Sequence, residues 1–305
     1  MTQVGAPRHD PIPIGEVATP SFVRLPDPGV LFAQRAQRLR TLAHDHDLKP
    51  YLLFLAELSG LQHAVQDGLP RAELPAADAL ARAREHGMPP LDRNRFTADA
   101  ACDATLDRLL AAAGICDMPE AAKTAWRNVK AAGAAGHASM MQSVLGDSIP
   151  VEAIAEHVFV AAALQVHFAR LAVQLDAKGL VPVGDGACPT CGGPLVSSLV
   201  VGWQGAHGTR FCACALCGTL WNYVRIKCTV CGSTKGIGYQ EIDGGPGTIK
   251  AETCDSCRSY VKILHQHKDP SLEPIADDVA SLGLDLLVRE SGLRRGGVNP
   301  FLLGY

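Results

Sequence analysis

Eight of the 11 cysteines in this chain form four Cys-x-x-Cys pairs, and the spacing of the pairs is itself a repeat. The pairs are Cys188/Cys191, Cys214/Cys217, Cys228/Cys231 and Cys254/Cys257. The last two pairs lie 40 residues after the first two, so one Cys-x2-Cys-x22-Cys-x2-Cys unit occurs twice in tandem. Because four thiolates from two such pairs make a tetrahedral metal site, the eight cysteines predict two sites.

Each predicted site is expected to lie within one repeat, since the two internal gaps are identical and a separate junction of 10 residues divides the repeats. Pairing of cysteines between repeats is the open alternative. Glycines follow the first three pairs at 192, 218 and 232, and Arg258 follows the fourth. A metal knuckle is the tight turn formed by one Cys-x-x-Cys pair, and a small residue directly after it eases that turn. Each unit is therefore expected to form a small-β, zinc-ribbon or rubredoxin-like module that depends on its ion for stability.

Four thiolates suit Zn²⁺ and iron almost equally, so the ligands alone do not name the metal. They favour an inert cross-link over a redox centre. All four positions around each ion would be filled by protein, which leaves no open position for hydrolytic chemistry. The sequence also has no Walker loop, no Gly-x-Ser-x-Gly and no His-Glu-x-x-His motif. These features argue against an enzyme.

The charge of the chain gives no general attraction to nucleic acid or to an anionic membrane, because the net charge is −3. Residues 188–268 contain eight basic and four acidic side chains. This excess of positive charge would cancel the charge of two divalent ions bound to eight thiolates. The bases are therefore interpreted as compensation for the sites. A zinc-ribbon nucleic-acid binder is the less favoured alternative.

The amino terminus shows no basic segment followed by an apolar run, and no apolar run of about 18 residues that would span a bilayer is apparent. A cytoplasmic protein without membrane insertion is expected. Thiols are reduced in that compartment, which again favours metal ligation over disulfides. Whether the protein forms a homodimer is left open by the sequence.

The pattern of apolar residues predicts an α+β protein: an amino-terminal all-α domain, two tandem small-β modules and a carboxyl-terminal helix. The proline-rich residues 1–27 are read as an extended arm without core residues. The predicted units are an all-α domain (28–180), a first tetracysteine module (181–226), a second tetracysteine module (227–268) and a helix with its tail (269–305).

Helices are predicted at 51–66, 75–85, 99–114, 119–130 and 150–178, in addition to one that starts at Pro28. The Gly- and Ala-rich stretch 133–136 is expected to loosen the chain. Helix 150–178 is apolar on nearly every side, which predicts a buried central helix. Its two histidines, His157 and His167, are expected to be structural because no carboxylate or cysteine partner is evident nearby.

Short β-branched and aromatic runs predict strands at 195–201, 223–226, 236–242 and 260–264. Three cysteines lie outside the repeat. Cys102 and Cys116 fall on predicted helices and are interpreted as small core residues. Cys212 lies two residues before a knuckle, which makes it a half-buried thiol and the best candidate for redox sensitivity.

Several short segments of this chain resemble the formate dehydrogenase accessory proteins of the FdhE type. They are Arg225-Ile226-Lys227-Cys228-x-x-Cys231, Ile249-Lys250-Ala251-Glu252-x-Cys254-x-x-Cys257, Tyr260-x-Lys262-Ile263-Leu264, Lys268-Asp269-Pro270, Ala276-Asp277-Asp278-x-Ala280-Ser281-Leu282 and Asn299-Pro300-Phe301-Leu302. The resemblance is close from about residue 164 to residue 303 and looser through the helical half. Residues 1–27 do not contribute to it.

The resemblance implies a cytoplasmic maturation factor that binds the catalytic subunit of a respiratory formate dehydrogenase and holds iron in rubredoxin-like sites. All eight repeat cysteines match the ligand positions of that family, whereas Cys212 is outside its pattern. The resemblance favours iron over zinc. It also leaves a redox role and a structural role for the two ions equally open.

Overall fold

The computed structural model describes residues 20–302, which form a helical amino-terminal half and a sheet-rich carboxyl-terminal half that ends in helices. The predicted α+β class is confirmed. Residues 1–19 of the predicted arm, and the last three residues of the chain, lie outside the described range. Residues 20–27 begin the described fold and lead directly into the first helix.

Seven α-helices build the amino-terminal half from residue 20 onward. They are α1 (Pro28–Leu42), α2 (Lys49–Ala64), α3 (Ala77–Glu85), α4 (Ala100–Ala113), α5 (Glu120–Ala131), α6 (Gly133–Leu145) and α7 (Ile154–Ala172). Pro28 occupies the first turn of α1, and the Asp27 carboxylate accepts a hydrogen bond from the Gly29 N–H as its cap. Helix α6 was not predicted. Gly133 has φ +64°, so it separates α5 from α6 and the Ala-rich chain resumes a helix after it.

Helix α7 is the centre of the helical half, as predicted. It packs against α2, α4, α5 and α6, and every residue from His157 to Ala169 is buried. The segment Val151–Ala172 passes a length-and-composition test for a membrane span, which the sequence analysis did not expect, and 67% of its apolar window is buried inside the protein. Burial of residues 157–169 on all sides accounts for this apolar composition, because that part of the helix has no face in water.

Residues 20–302 form one eight-stranded sheet, which the carboxyl-terminal half builds together with a first strand from the start of the described chain. Its strands are β1 (Val23–Arg24), β2 (Leu195–Val200), β3 (Arg210–Cys214), β4 (Leu220–Asn222), β5 (Ile237–Gln240), β6 (Ile249–Cys254), β7 (Ser259–Leu264) and β8 (Arg294–Arg295). The order is β1-β4-β3-β2-β7-β6-β5, and β8 pairs with β7. The two repeats therefore share a single sheet.

Parallel pairing of β2 with β7 joins the repeats, with Ser198 opposite Ile263. Strands β3 and β6 were not predicted from the sequence, nor were the two-residue strands β1 and β8, and the strand predicted at 223–226 lies instead at Leu220–Asn222. Strands β3 and β6 run directly into a knuckle and carry buried charged residues, Arg210 and Glu252. A buried ion pair interrupts the apolar pattern from which strands are predicted.

Strand β1 gives the described part of the arm a place in the core. Val23 pairs with Trp221 of β4 and is 5% exposed. The expectation of an arm without core residues is therefore wrong for this segment. A two-residue strand has too short a pattern to be read from sequence, and the partner strand lies about two hundred residues away in the chain.

The carboxyl-terminal segment forms two short helices, α8 (Ala276–Ala280) and α9 (Leu282–Glu290), where one had been expected. The chain bends at Ser281, whose backbone leaves the helical region. Helix α8 packs on α1, where the Arg38 guanidinium contacts Asp277 at 2.7 Å. Helix α9 packs on β6. The segment thus ties the helical half to the sheet.

Candidate metal centres

The eight cysteines of the repeat lie in two groups of four, one within each repeat. All four sulfurs of a group lie within 4.8 Å of one another. The first group is Cys188, Cys191, Cys214 and Cys217, and the second is Cys228, Cys231, Cys254 and Cys257. Each repeat therefore supplies all four ligands of its own site, and the alternative pairing, with cysteines exchanged between repeats, is not the one the fold adopts.

The sulfur separations fit a tetrahedral ion. In the first group Cys191 and Cys214 are 3.4 Å apart at Sγ, and in the second Cys231 and Cys254 are 3.7 Å apart. A Zn–S bond of about 2.3 Å gives separations of about 3.8 Å at the corners of a tetrahedron. The two donor sets therefore have the size and the chemistry for one Zn²⁺ or iron ion each.

Tight turns of the backbone aim both sulfurs of a pair at the same point. The residue after each pair has a positive φ: +72° at Gly192, +73° at Gly218, +71° at Gly232 and +55° at Arg258. The Gly192 N–H donates to the Cys188 carbonyl at 2.8 Å, and Gly232 makes the equivalent bond to Cys228 at 3.0 Å. The glycines that the sequence marks as turn residues thus occupy the left-handed conformation in which a Cβ is unfavourable.

Protonation of the thiols depends on burial and on backbone donors. Burial raises the pKa of Cys188 well above its usual value and that of Cys228 to about 12. Burial also opposes ionisation of Cys254, yet the backbone N–H groups of Cys257 and Ser256 lower its pKa to about 7. Binding of a cation supplies the charge that keeps four such sulfurs deprotonated together.

The helical half covers the first centre. The Leu91 N–H donates to the Thr190 carbonyl at 2.9 Å, and the Arg93 N–H donates to the Cys191 carbonyl at 3.0 Å. From α7, Gln165 Nε2 donates to the Ala215 carbonyl at 2.8 Å. All four cysteines of this centre are at most 2% exposed. The first centre is consequently buried at the junction between the two halves.

The second centre lies at the surface. Cys228 and Cys254 are buried, whereas Cys231 is exposed and Cys257 is half-buried. Val230, between the two cysteines of its knuckle, is 41% exposed. Identical ligand sets therefore occupy different surroundings, which the repeat in the sequence does not reveal.

Comparisons with known proteins decide the family. Models described as "FdhE, N-terminal", "FdhE, central domain" and "FdhE, C-terminal domain" match residues 20–185, 187–225 and 226–302. The chain belongs to the FdhE family. The resemblance seen in the sequence is confirmed, and the match extends to residue 20, inside the arm that had not contributed to it.

FdhE relatives cover almost the whole chain. A "Protein FdhE homolog" of Rhizobium meliloti (strain 1021) is 46% identical over 298 residues, which are 97% of this chain and 97% of the relative. "Protein FdhE" of Escherichia coli (strain SMS-3-5 / SECEC) is 35% identical, over 89% of this chain and 88% of its own length. The crystal structure of the FdhE protein from Pseudomonas aeruginosa is similar with a TM-score of 0.83 and 32% identity, and the match covers 93% of this chain and 99% of that one.

Arg93 is a residue of this FdhE chain that the sequence analysis missed. Its guanidinium forms an ion pair with Asp147, and the negative charge of Cys191 and Cys214 helps to raise its pKa against the opposing effect of burial. A Cβ built on Gly193 would lie 3.6 Å from both the Arg93 Cδ and the Cys214 Sγ, so the Arg93 side chain lies beside the first centre. No spacing rule could identify it, because it lies far before the cysteines in the chain.

The bases between 188 and 268 are less available to the sites than the charge balance suggested. Four of the eight form ion pairs with carboxylates: Arg210 with Glu252, Lys227 with Asp185, Lys250 with Glu241 and Lys262 with Asp285. The positive charges of these four bases therefore compensate carboxylates and not the thiolates of the two centres. Two of the acids, Asp185 and Asp285, lie outside the stretch in which the charges were counted.

The remaining thiol and histidine predictions have mixed outcomes. Cys212 is fully buried, and burial raises its pKa to about 12, so it is neither half-buried nor poised for oxidation.

His157 is structural as expected, with Nδ1 2.6 Å from the Ala153 carbonyl. His167 does have a carboxylate nearby, since Asp99 Oδ1 lies 3.9 Å from its Nε2. Burial lowers the pKa of His167 to about 4.

Proposed function

We propose that this chain is a cytoplasmic accessory factor required for formate dehydrogenase activity, which binds the immature catalytic subunit and carries two metal ions. Membership of the FdhE family carries the proposal. The geometry agrees with it, since two complete tetrathiolate groups, one buried between the halves and one at the surface, offer no open coordination position. In this role the ions, iron or zinc, shape the surface that meets the client.

A non-catalytic role is part of the proposal. An ion with four protein sulfurs has no position at which it could bind and activate water. The first centre is also buried under the helical half, out of reach of a substrate. Both properties are expected of a protein that acts by binding a partner.

A deletion strain tests this function. Loss of the gene should abolish respiratory formate dehydrogenase activity, and the wild-type gene should restore it, with the catalytic subunit co-purifying with a tagged copy. Cys191→Ser, which removes a metal ligand, should restore little activity. Cys116→Ser is the matched control, because this half-buried thiol lies outside both centres. Normal activity in the clean deletion would refute the proposal.

An iron-thiolate electron-transfer protein that acts on the client's cofactor is the second candidate. The exposed edge of the second centre favours it, because electrons reach a surface site more readily than a buried one. Protein purified without air from its own host should then show ferric-thiolate absorbance that dithionite bleaches reversibly. Colourless protein that contains only zinc and still complements the deletion would contradict this candidate.

A further inference from the structure

The two centres differ in what surrounds them, although their ligands are the same. Each cysteine of the first centre is at most 2% exposed. In the second centre, Cys231 is exposed and Cys257 is half-buried. These two come from different knuckles, so each knuckle of the second centre has one cysteine that reaches solvent. An incoming ligand could reach the second ion from the side of these two cysteines, and it could reach the first only after contacts had opened.

The cover over the first centre consists of several independent contacts. Two backbone bonds join Leu91 and Arg93 to the first knuckle, and Gln165 from the core helix holds the other. Leu31 of α1 packs against Gly218, where an added Cβ would come within 2.8 Å of its Cδ2. These contacts belong to three separate elements of the helical half. Exposing the first ion therefore requires local separation of the two halves.

Among the hydrogen bonds of residues 20–302, none joins the helical half to the knuckles of the second centre. Instead the hydroxyls of Ser233 and Ser256 meet at 3.0 Å across the two knuckles, at an exposed position. Cys228 and Cys254 form the inner half of the site, and the Val230 N–H donates to Cys228 Sγ at 3.3 Å. The second centre thus has a protected inner pair of sulfurs and an accessible outer pair.

We propose that the second centre is an exchange site, which takes up and hands over its ion at the edge formed by Cys231 and Cys257, while the first centre is a permanent structural joint. The ligand is a thiophilic divalent cation, and the acceptor is a thiolate. Each step of the transfer forms one bond between the ion and an incoming thiolate and breaks one bond to Cys231 or Cys257. No electron moves, and Cys228 and Cys254 hold the ion until the last step.

This activity goes beyond the proposed function and does not require the client. It can be measured on the purified full chain loaded with Zn²⁺, by adding an excess of a chromogenic pyridylazo chelator and following zinc release by absorbance. Two phases of one ion each are expected, with rates about tenfold or more apart. The slow phase requires the contacts between the helical half and the first centre to open. Release of both ions in one phase would overturn the proposal.

Two substitutions at equivalent positions of the repeats assign the phases. Cys231→Ser should remove the fast phase and leave the slow one, and a fast phase that persists in this variant would overturn the proposal. Cys191→Ser should remove the slow phase. Because loss of a buried ligand could unfold the protein, Gln165→Leu, which removes the side-chain hydrogen bond to the Ala215 carbonyl, serves as a second variant with all eight ligands intact. It should accelerate the slow phase severalfold and leave the fast phase unchanged, whereas an accelerated fast phase would contradict the assignment.

Alkylation of the wild-type protein supplies a readout that needs no variant. The zinc-loaded chain is treated with N-ethylmaleimide for increasing times, and the modified cysteines are identified by mass spectrometry. Among the eight ligands, Cys231 and Cys257 should be modified first. Earlier modification of any cysteine in the first centre would contradict the proposal. A deletion strain with normal formate dehydrogenase activity would refute the function proposed above and leave this result standing.

Discussion

The guanidinium of Arg210 in β3 lies 2.8 Å from the carboxylate of Glu252 in β6, and both side chains are at most 3% exposed. The ion pair joins the first repeat to the second. Arg210 also donates to the Lys227 carbonyl at 3.2 Å, in the junction between the repeats. Burial raises the pKa of Glu252 even though Arg210 acts to lower it. The two modules are therefore held together by a pair of charges as well as by the shared sheet.

Arg210→Ala should destabilise the protein strongly, because it leaves the Glu252 carboxylate buried without its partner. The expected loss in the free energy of unfolding is about 3 kcal/mol or more. Urea unfolding followed by fluorescence measures it. The double variant Arg210→Met/Glu252→Leu should lose less than the single variant, and a single variant as stable as the wild type would show that the pair is dispensable.

Gly186→Ala should weaken the contact between the modules. Gly186 has φ +69°, and an added Cβ would overlap the carbonyl oxygen of Thr229 in the first knuckle of the second centre. Gly208 is the matched control, since its φ is +74° and nothing lies within 4 Å of an added Cβ. Gly208→Ala should cost about 1 kcal/mol from backbone strain alone. Gly186→Ala should cost about 2 kcal/mol more in thermal unfolding, and equal costs would exclude the steric effect.

Lys262→Met should loosen the carboxyl-terminal helices from the sheet. The Lys262 ammonium lies 2.5 Å from Asp285 and donates to the Asp278 carbonyl at 2.7 Å. Without Lys262, Arg295 alone would neutralise the buried carboxylates of Asp278 and Asp285. The free energy of unfolding should therefore fall by about 3 kcal/mol. Limited proteolysis should then cut near α8 and α9 earlier than in the wild type. The exposed Lys235, changed to Met, should have no measurable effect.

Acid should destabilise the protein partly through His167. Burial lowers the pKa of this histidine from 6.5 to about 4, with a smaller effect of Arg170 in the same direction and an opposing effect of Asp99. Between these pH values the unfolded chain binds a proton that the folded protein does not, so stability falls as the pH falls. The contribution is at most about 3 kcal/mol.

His167→Leu should therefore lose less stability than the wild type as the pH falls from about 6.5 to about 4. Chemical unfolding at a series of pH values measures the difference between the two proteins. The exposed His86, changed to Gln, should follow the wild-type curve. Parallel curves for the wild type and His167→Leu would show that His167 is not the group that titrates.

Local patterns predicted much of this fold. Pro28 starts α1, Gly192 and Gly232 have the left-handed backbone that their position after a knuckle requires, and the all-round apolar segment is the buried helix α7. Each of these features depends on residues that lie only a few positions away in the chain. Strands β3 and β6 were missed because Arg210 and Glu252, which lie in them, neutralise each other across the repeats, and a single-strand pattern contains no sign of such a partner.

The sequence by itself identified the eight cysteines as candidate ligands of two sites, because knuckle spacing is a local property of the backbone and the repeat of 40 residues duplicates it. It also determined the family. Only the tertiary structure decided that the repeats share one sheet and that Arg93 lies beside the first centre. It likewise decided that Cys231 stays open to solvent while Cys191, its equivalent, is buried. Burial depends on which distant segments pack over a site, and two identical local motifs receive different neighbours when one of them lies against the helical half.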